Sequence, residues 1–168
     1  YKEVIYEGYG PHGIAFLVET ATDNTNRTVA SLRMYFNKCG GTLGTSGSVA
    51  FMFEHKCVFK FRVPAGTDLE ELELEMIDLE VDEFYPEEDT ITVYAPYESF
   101  GAIQKWIEDK GFETISGESV RIPVDTKELS AEERESVEKL QERIEEDDDV
   151  VNVYTNMREP EDDEADEE

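Results

Sequence analysis

Residues 14–22, IAFLVETAT, run apolar for five positions before polar residues interrupt them, the pattern of a buried strand. Residues 2–7 ahead of it read as a second strand. Between them lies GYGPHG, residues 8–13, which spells G-x-G-x-x-G. That string cradles a dinucleotide only where a helix opens at its last glycine. Here a strand follows, and Pro11 removes a backbone donor. The string therefore reads as a hairpin-like connection that uses the positive φ open to glycine, and no cofactor is expected.

After the strand, Val29, Leu32, Phe36 and Cys39 recur at helical spacing, with Asp23, Asn24 or Asn26 as candidate caps and Gly40 and Gly41 as the stop. GSVAFMF, residues 47–53, reads as another buried strand. CVFKFRV alternates, with Cys57, Phe59, Phe61 and Val63 inward and Lys56, Lys60 and Arg62 outward. Its basic face is read first as the guard charges of an edge strand, and second as a phosphate contact. The run from Thr67 to Glu80 predicts a helix capped by Thr67 or Asp68, with Leu69, Leu72, Met76 and Leu79 inside and an acidic outer face.

Two short strands follow, near 81–85 and 90–95, with Pro86 and acids in the turn. Phe100, Ile103, Trp106 and Ile107 mark an amphipathic helix ended by Gly111, and FETISGESVRIPV, residues 112–124, closes as a strand with an irregularity at Gly117. Residues 57–122 thus read β-α-β-β-α-β, a ferredoxin-like split-βαβ plait. Beyond them Ser130 and Glu133 form a capping box for a helix lined by Val137, Leu140 and Ile144, and VVNVYTN is a strand. This last pair completes the first segment as a second plait. The fold class expected is α/β (α+β), with one plait inserted into the other: residues 1–56 plus 123–157 form a discontinuous domain, and 57–122 the insertion.

Charge changes the picture more than composition does. The 168 residues carry a net charge of −27, 39% hydrophobic residues and no apolar run of about 18, so a packed core is affordable and a membrane span is not expected. Residues 1–62 hold seven Lys/Arg against five Asp/Glu; residues 63–168 hold eight against thirty-seven. Such a surface repels phosphate backbones and anionic lipids outside the first third. EPEDDEADEE at the end reads as a disordered, solvating tail from residue 158. Asp147–Asp149 are consecutive, unlike the alternating ligands of a calcium loop, and read as a helix end and solvated turn. Cys39, Cys57, His12 and His55 lack zinc spacing, so no metal is expected; sparse cysteine fits the cytoplasm. The chain starts at Tyr1 without Met and reads as a fragment or a processed form.

The string from Tyr6 to Phe53, YEGYGPHGIAFLVETATDNTNRTVASLRMYFNKCGGTLGTSGSVAFMF, resembles the second domain of the YebC/PmpR proteins. IPVDTKEL and EEDDDVVNVYTNM are similar to the same family's return into that domain, so the likeness covers nearly all of residues 1–157. The family comprises probable transcriptional regulators and includes a mitochondrial translational activator of cytochrome c oxidase. The resemblance implies two α/β domains that follow an N-terminal helical, lysine-rich domain, which is absent here and carries much of the expected nucleic-acid contact. His12 stands where the family usually has a small residue, which suggests that φ at position 12 need not be positive.

The function expected is a non-enzymatic regulator of gene expression acting through DNA or through RNA and the ribosome, with the translation variant preferred and DNA-binding transcriptional control as the alternative. Arg27, Arg33, Lys38, Lys56, Lys60 and Arg62 are the candidate contacts, with Tyr9 and Tyr35 as stacking partners for bases. The competing reading makes these ordinary solvated charges and packed rings. An acylphosphatase-like enzyme, with Arg27 near Asn24 and Asn26 holding an anion, and a small-molecule regulatory module are remote alternatives. No membrane contact is expected, and a monomer is favoured.

Overall fold

The computed structural model describes residues 1–160, so the expected acidic tail falls almost wholly outside the described residues. The chain runs through β1 (Lys2–Tyr9), β2 (Ala15–Thr22), α1 (Thr25–Lys38), β3 (Thr42–Leu43), β4 (Phe53–Arg62) and α2 (Leu69–Ile77). It continues through β5 (Glu83–Glu87), β6 (Thr90–Pro96), α3 (Phe100–Asp109), β7 (Glu113–Pro123), α4 (Ala131–Glu145) and β8 (Val150–Thr155). It divides into two compact units, residues 1–53 with the segment from Pro123 onward, and residues 54–122.

The first unit is a four-stranded sheet in the order β3-β1-β2-β8, antiparallel throughout. β1 and β2 pair from Lys2↔Thr22 to Tyr9↔Ala15, which makes GYGPHG the hairpin connection. β2 is apolar on successive positions because both its faces are covered. Ile14, Phe16 and Val18 pack with Leu32, Phe36, Val137, Leu140 and Ile144, whereas Ala15 and Leu17 pack with Val49 and Phe53. Each large side chain so buried contributes about 1.5–3 kcal/mol of transfer free energy. Asn24 caps α1 by accepting from the Arg27 N–H at 3.1 Å, and Gly40 ends it at φ 80°.

Of the glycines in the hairpin connection, Gly13 takes the expected positive φ, whereas Gly8 and Gly10 do not. A Cβ on Gly8 would lie 2.7 Å from the Thr42 carbonyl oxygen, and one on Gly10 would run into the Phe16 ring. Both glycines therefore serve close approach. Positive φ falls instead on His12 (63°) and Gly13 (74°) within a single 3-10 turn. The expectation for position 12 is overturned: histidine there adopts the left-handed conformation, which it tolerates better than most residues.

Residues 47–53 also depart from expectation. They form no strand; Ala50–Met52 make a 3-10 turn, and Phe53 begins β4. The cause is the Glu7 carboxylate, which takes the N–H groups of Gly47 (2.6 Å), Val49 (2.9 Å) and Ala50 (2.6 Å). Donors held by a side chain cannot enter a sheet ladder.

The second unit, β4-α2-β5-β6-α3-β7, has the sheet order β5-β6-β4-β7 of a ferredoxin-like plait. Cys57, Phe59 and Phe61 of β4 and Ile91, Val93 and Ala95 of β6 meet Leu72 and Met76 of α2 and Ile103 and Ile107 of α3. β4 lies between β6 and β7, so Lys56, Lys60 and Arg62 do not guard an edge. The edge strand β5 instead carries Pro86, opposite Ile91, and the turn falls after Glu87. Proline is tolerated there because an edge strand has a row of N–H groups without ladder partners. Gly117 sits inside β7, where a Cβ would come within 2.5 Å of the Phe59 ring.

Candidate functional site

Of the candidate contact residues of the first unit, Arg27 and Tyr35 meet the turn from α4 into β8. Arg27 reaches across 122 positions to Asp149, with Nη2 at 2.9 and 3.0 Å from the two carboxylate oxygens and Nε at 3.3 Å from one of them. It also holds Asp23 at 2.9 Å. The Thr28 hydroxyl lies 2.9 Å from Asp149 and 2.7 Å from the Thr22 hydroxyl. Only 9% of Asp149 is exposed. Its hydrogen bond from Thr28 and the Arg27 guanidinium hold its carboxyl below the usual range against the opposing effect of burial.

Tyr35 donates to Asp147 at 2.7 Å, and Asp147 in turn accepts the Asp149 N–H at 2.9 Å. Burial and Asp147 raise the Tyr35 phenol. Two of the three consecutive aspartates are thus structural acceptors, not solvated turn residues. The guanidinium that was to hold an anion near Asn24 is already committed to carboxylates, and Asn24 to its cap. Tyr9, Arg33 and Lys38 stand exposed on β1 and α1.

In the second unit the outward face of β4 is also largely neutralised. Burial alone would lower the Lys56 ammonium, but Asp82 at 2.7 Å outweighs it and leaves it raised. Arg62 is closed by Asp89 at 2.6 Å and Glu113 at 3.2 Å. Lys60 remains exposed, with no ion pair among the described residues. His55 stacks on Tyr97 at 4.0 Å between centroids, and burial pushes the Cys57 thiol up.

A third grouping has no counterpart in the sequence reading. His12 Nε2 lies 3.0 Å from the Ser136 hydroxyl, its Nδ1 lies 3.5 Å from Glu133, and Lys127 donates to its carbonyl. The order Ser–His–Glu imitates a hydrolytic triad. The Ser136 hydroxyl, however, donates to the Glu133 carbonyl at 2.8 Å within its own helix, so its proton is directed away from the ring. The other Glu133 oxygen accepts the Ser130 N–H, closing the capping box. The cluster fastens the hairpin turn to the first turns of α4. Among the described residues no group of three or more His, Cys, Asp or Glu is disposed to hold a metal ion.

Residues 1–157 match the family model described as the TACO1/YebC second and third domain. The chain belongs to this family. A probable transcriptional regulatory protein of Porphyromonas gingivalis is 60% identical over 161 residues, covering 96% of this chain and 66% of that protein. One from Flavobacterium johnsoniae is 58% identical over 159 residues, covering 95% and 67%. The crystal structure of the conserved hypothetical protein Aq1575 of Aquifex aeolicus has a TM-score of 0.74 at 34% identity, over 96% of this chain and 66% of its own. The chain spans about two thirds of the length of the two bacterial relatives, which are named probable transcriptional regulatory proteins. No described helix is long and apolar enough to cross a membrane.

Proposed function

We propose that this chain is the α/β portion of a non-enzymatic cytoplasmic regulator that acts at the ribosome on translation. The observation that carries the reading is the fate of its cations. Arg27, Lys56 and Arg62 are each closed by carboxylates at 2.6–2.9 Å. Of the six candidate cations, Arg33, Lys38 and Lys60 remain, on a chain of net charge −27. A grip on duplex DNA through about 6–10 phosphate contacts calls for more than these three candidates. The ribosome offers basic protein surfaces beside its RNA, and an acidic body meets these without repulsion. Of the candidate residues, Arg33, Lys38, Lys60 and Tyr9 are left to touch RNA.

The relatives' names favour a second reading, DNA-binding control of transcription. Cosedimentation with ribosomes and binding to duplex DNA, each followed across a salt series, separate the two. A translation regulator stays with ribosomes at salt where DNA binding has vanished. Sequence-preferring DNA binding without ribosome association overturns the proposal.

A further inference from the structure

A pattern separate from these cations lies on the outer face of α2. Leu69, Leu72 and Met76 turn that helix's buried side toward the core of its unit. Leu74 and Ile77, one turn apart and pointing elsewhere, are 67% and 57% exposed. Residues separated by three positions share a helix face, so the two side chains form one apolar strip. Glu70 extends the strip toward the helix start, and Glu73 and Asp78 flank it. Residues 68–80 contain seven acids and no Lys or Arg. Only Glu75 is ion-paired within the described residues, to Lys110 at 2.7 Å.

This arrangement costs the unit stability. Carboxylates at the C-terminal end of a helix oppose its dipole, yet Asp78 is the C-cap and no basic residue stands in the last turn. The reversal after α2 is made by Glu80 at φ 66°, whereas the helices α1 and α3 are followed by Gly40 at 80° and Gly111 at 75°. A left-handed position that glycine would fill more cheaply holds one more acid.

We infer that the α2 face of the second unit is a docking surface for a lysine- and arginine-rich amphipathic segment of a partner protein. Leu74 and Ile77 seat the partner's apolar side, and the acids around them take its cations. Charge complementarity selects the occupant. RNA and DNA are repelled by the same carboxylates, and a second copy of this face would oppose its own charge. The surface is independent of the residues assigned to ribosomal or nucleic-acid contact.

The test uses the chain as it stands and two synthetic probes. One is a labelled helical peptide of lysine and leucine at amphipathic spacing; the other keeps every lysine and replaces leucine by serine. Anisotropy titrations should show the leucine peptide binding about tenfold tighter, the gain expected from burying part of two aliphatic side chains. Leu74→Gln with Ile77→Gln should erase that advantage and leave thermal unfolding unmoved, since both residues are exposed and glutamine suits a helix. Glu70→Gln, Glu73→Gln and Asp78→Asn together should weaken both peptides and flatten their salt dependence. Equal binding of the two peptides overturns the proposal, as does an advantage that survives Leu74→Gln/Ile77→Gln. Competition by single-stranded RNA, or self-association abolished by the same pair, assigns the face to another occupant and overturns it too.

Discussion

The two plaits are both four-stranded sheets but are held together differently. In the unit of residues 54–122 the chain closes on itself without leaving, and its core is apolar throughout, from Cys57 and Phe59 to Ile107. Its carboxylates lie outside, a few of them paired to Lys56, Arg62, Lys105 or Lys110 at the surface. The other unit is assembled from segments on either side of the insertion, and carboxylates work inside it. Glu7, 4% exposed, binds a loop some forty positions away, and Asp149 ties the returning segment to Arg27 and Thr28. Apolar burial is non-directional and tolerates small slips of one element over another. A carboxylate that accepts several donors at fixed geometry does not. Where the chain must come back from a distance, directional contacts set its place.

Trp106 is the sole tryptophan and belongs to the inserted unit, so its fluorescence follows that unit while circular dichroism follows both. The hardest blow to the comparison is Glu7→Ala. It strands the N–H groups of Gly47, Val49 and Ala50 and should destabilise the discontinuous unit by about 3 kcal/mol or more. The dichroism midpoint in urea should fall while the Trp106 midpoint stays. If the two move together, the units do not differ in the way described.

Gly117→Ala strikes the other side. The added methyl meets the Phe59 ring and should cost about 1–3 kcal/mol by overpacking. Here the Trp106 transition should move first, and the same shift at every pH would mark the effect as steric.

Asp149→Asn sharpens the contrast with the smallest change. Its carboxyl titrates below the ordinary range, held there by Thr28 and Arg27. A lowered native pKa gives stability that is present above the unfolded value and lost as pH falls through the native one. The variant should be less stable than the parent at neutral pH, and the gap should close below about pH 4. A gap that persists undiminished into acid contradicts this role for the charge.

Much of the fold was legible because it is written locally. Asn24, Asp68 and Ser130 cap their helices, and Leu32, Phe36, Leu72, Met76, Ile103 and Ile107 keep the helical period on buried faces. The alternation of β4 told which side its lysines take, though not that β4 has neighbours on both sides. The misread segment, 47–53, shows the limit: apolar residues announce burial, and the remote Glu7 decides the backbone. The ion pairs of three candidate contacts were hidden for the same reason. Arg27, Lys56 and Arg62 read as available charge because Asp149, Asp82 and Asp89 are distant in sequence, at separations of 122, 26 and 27. Nor did composition reveal that His12 meets Glu133 and Ser136, which requires the hairpin and α4 to be placed together.

The divided build of the first unit has a consequence in time. A ribosome releases β1, β2 and α1 early, with Ile14, Phe16 and Val18 awaiting Val137, Leu140 and Ile144 from α4. At synthesis rates of about 5–20 residues per second, that cover arrives on the order of ten seconds later. Meanwhile the inserted unit has every strand and helix it needs once residue 122 has emerged. The segment made ahead of the insertion is therefore finished after it, and during that interval its bare sheet face is what a chaperone, or a neighbouring nascent chain, would meet.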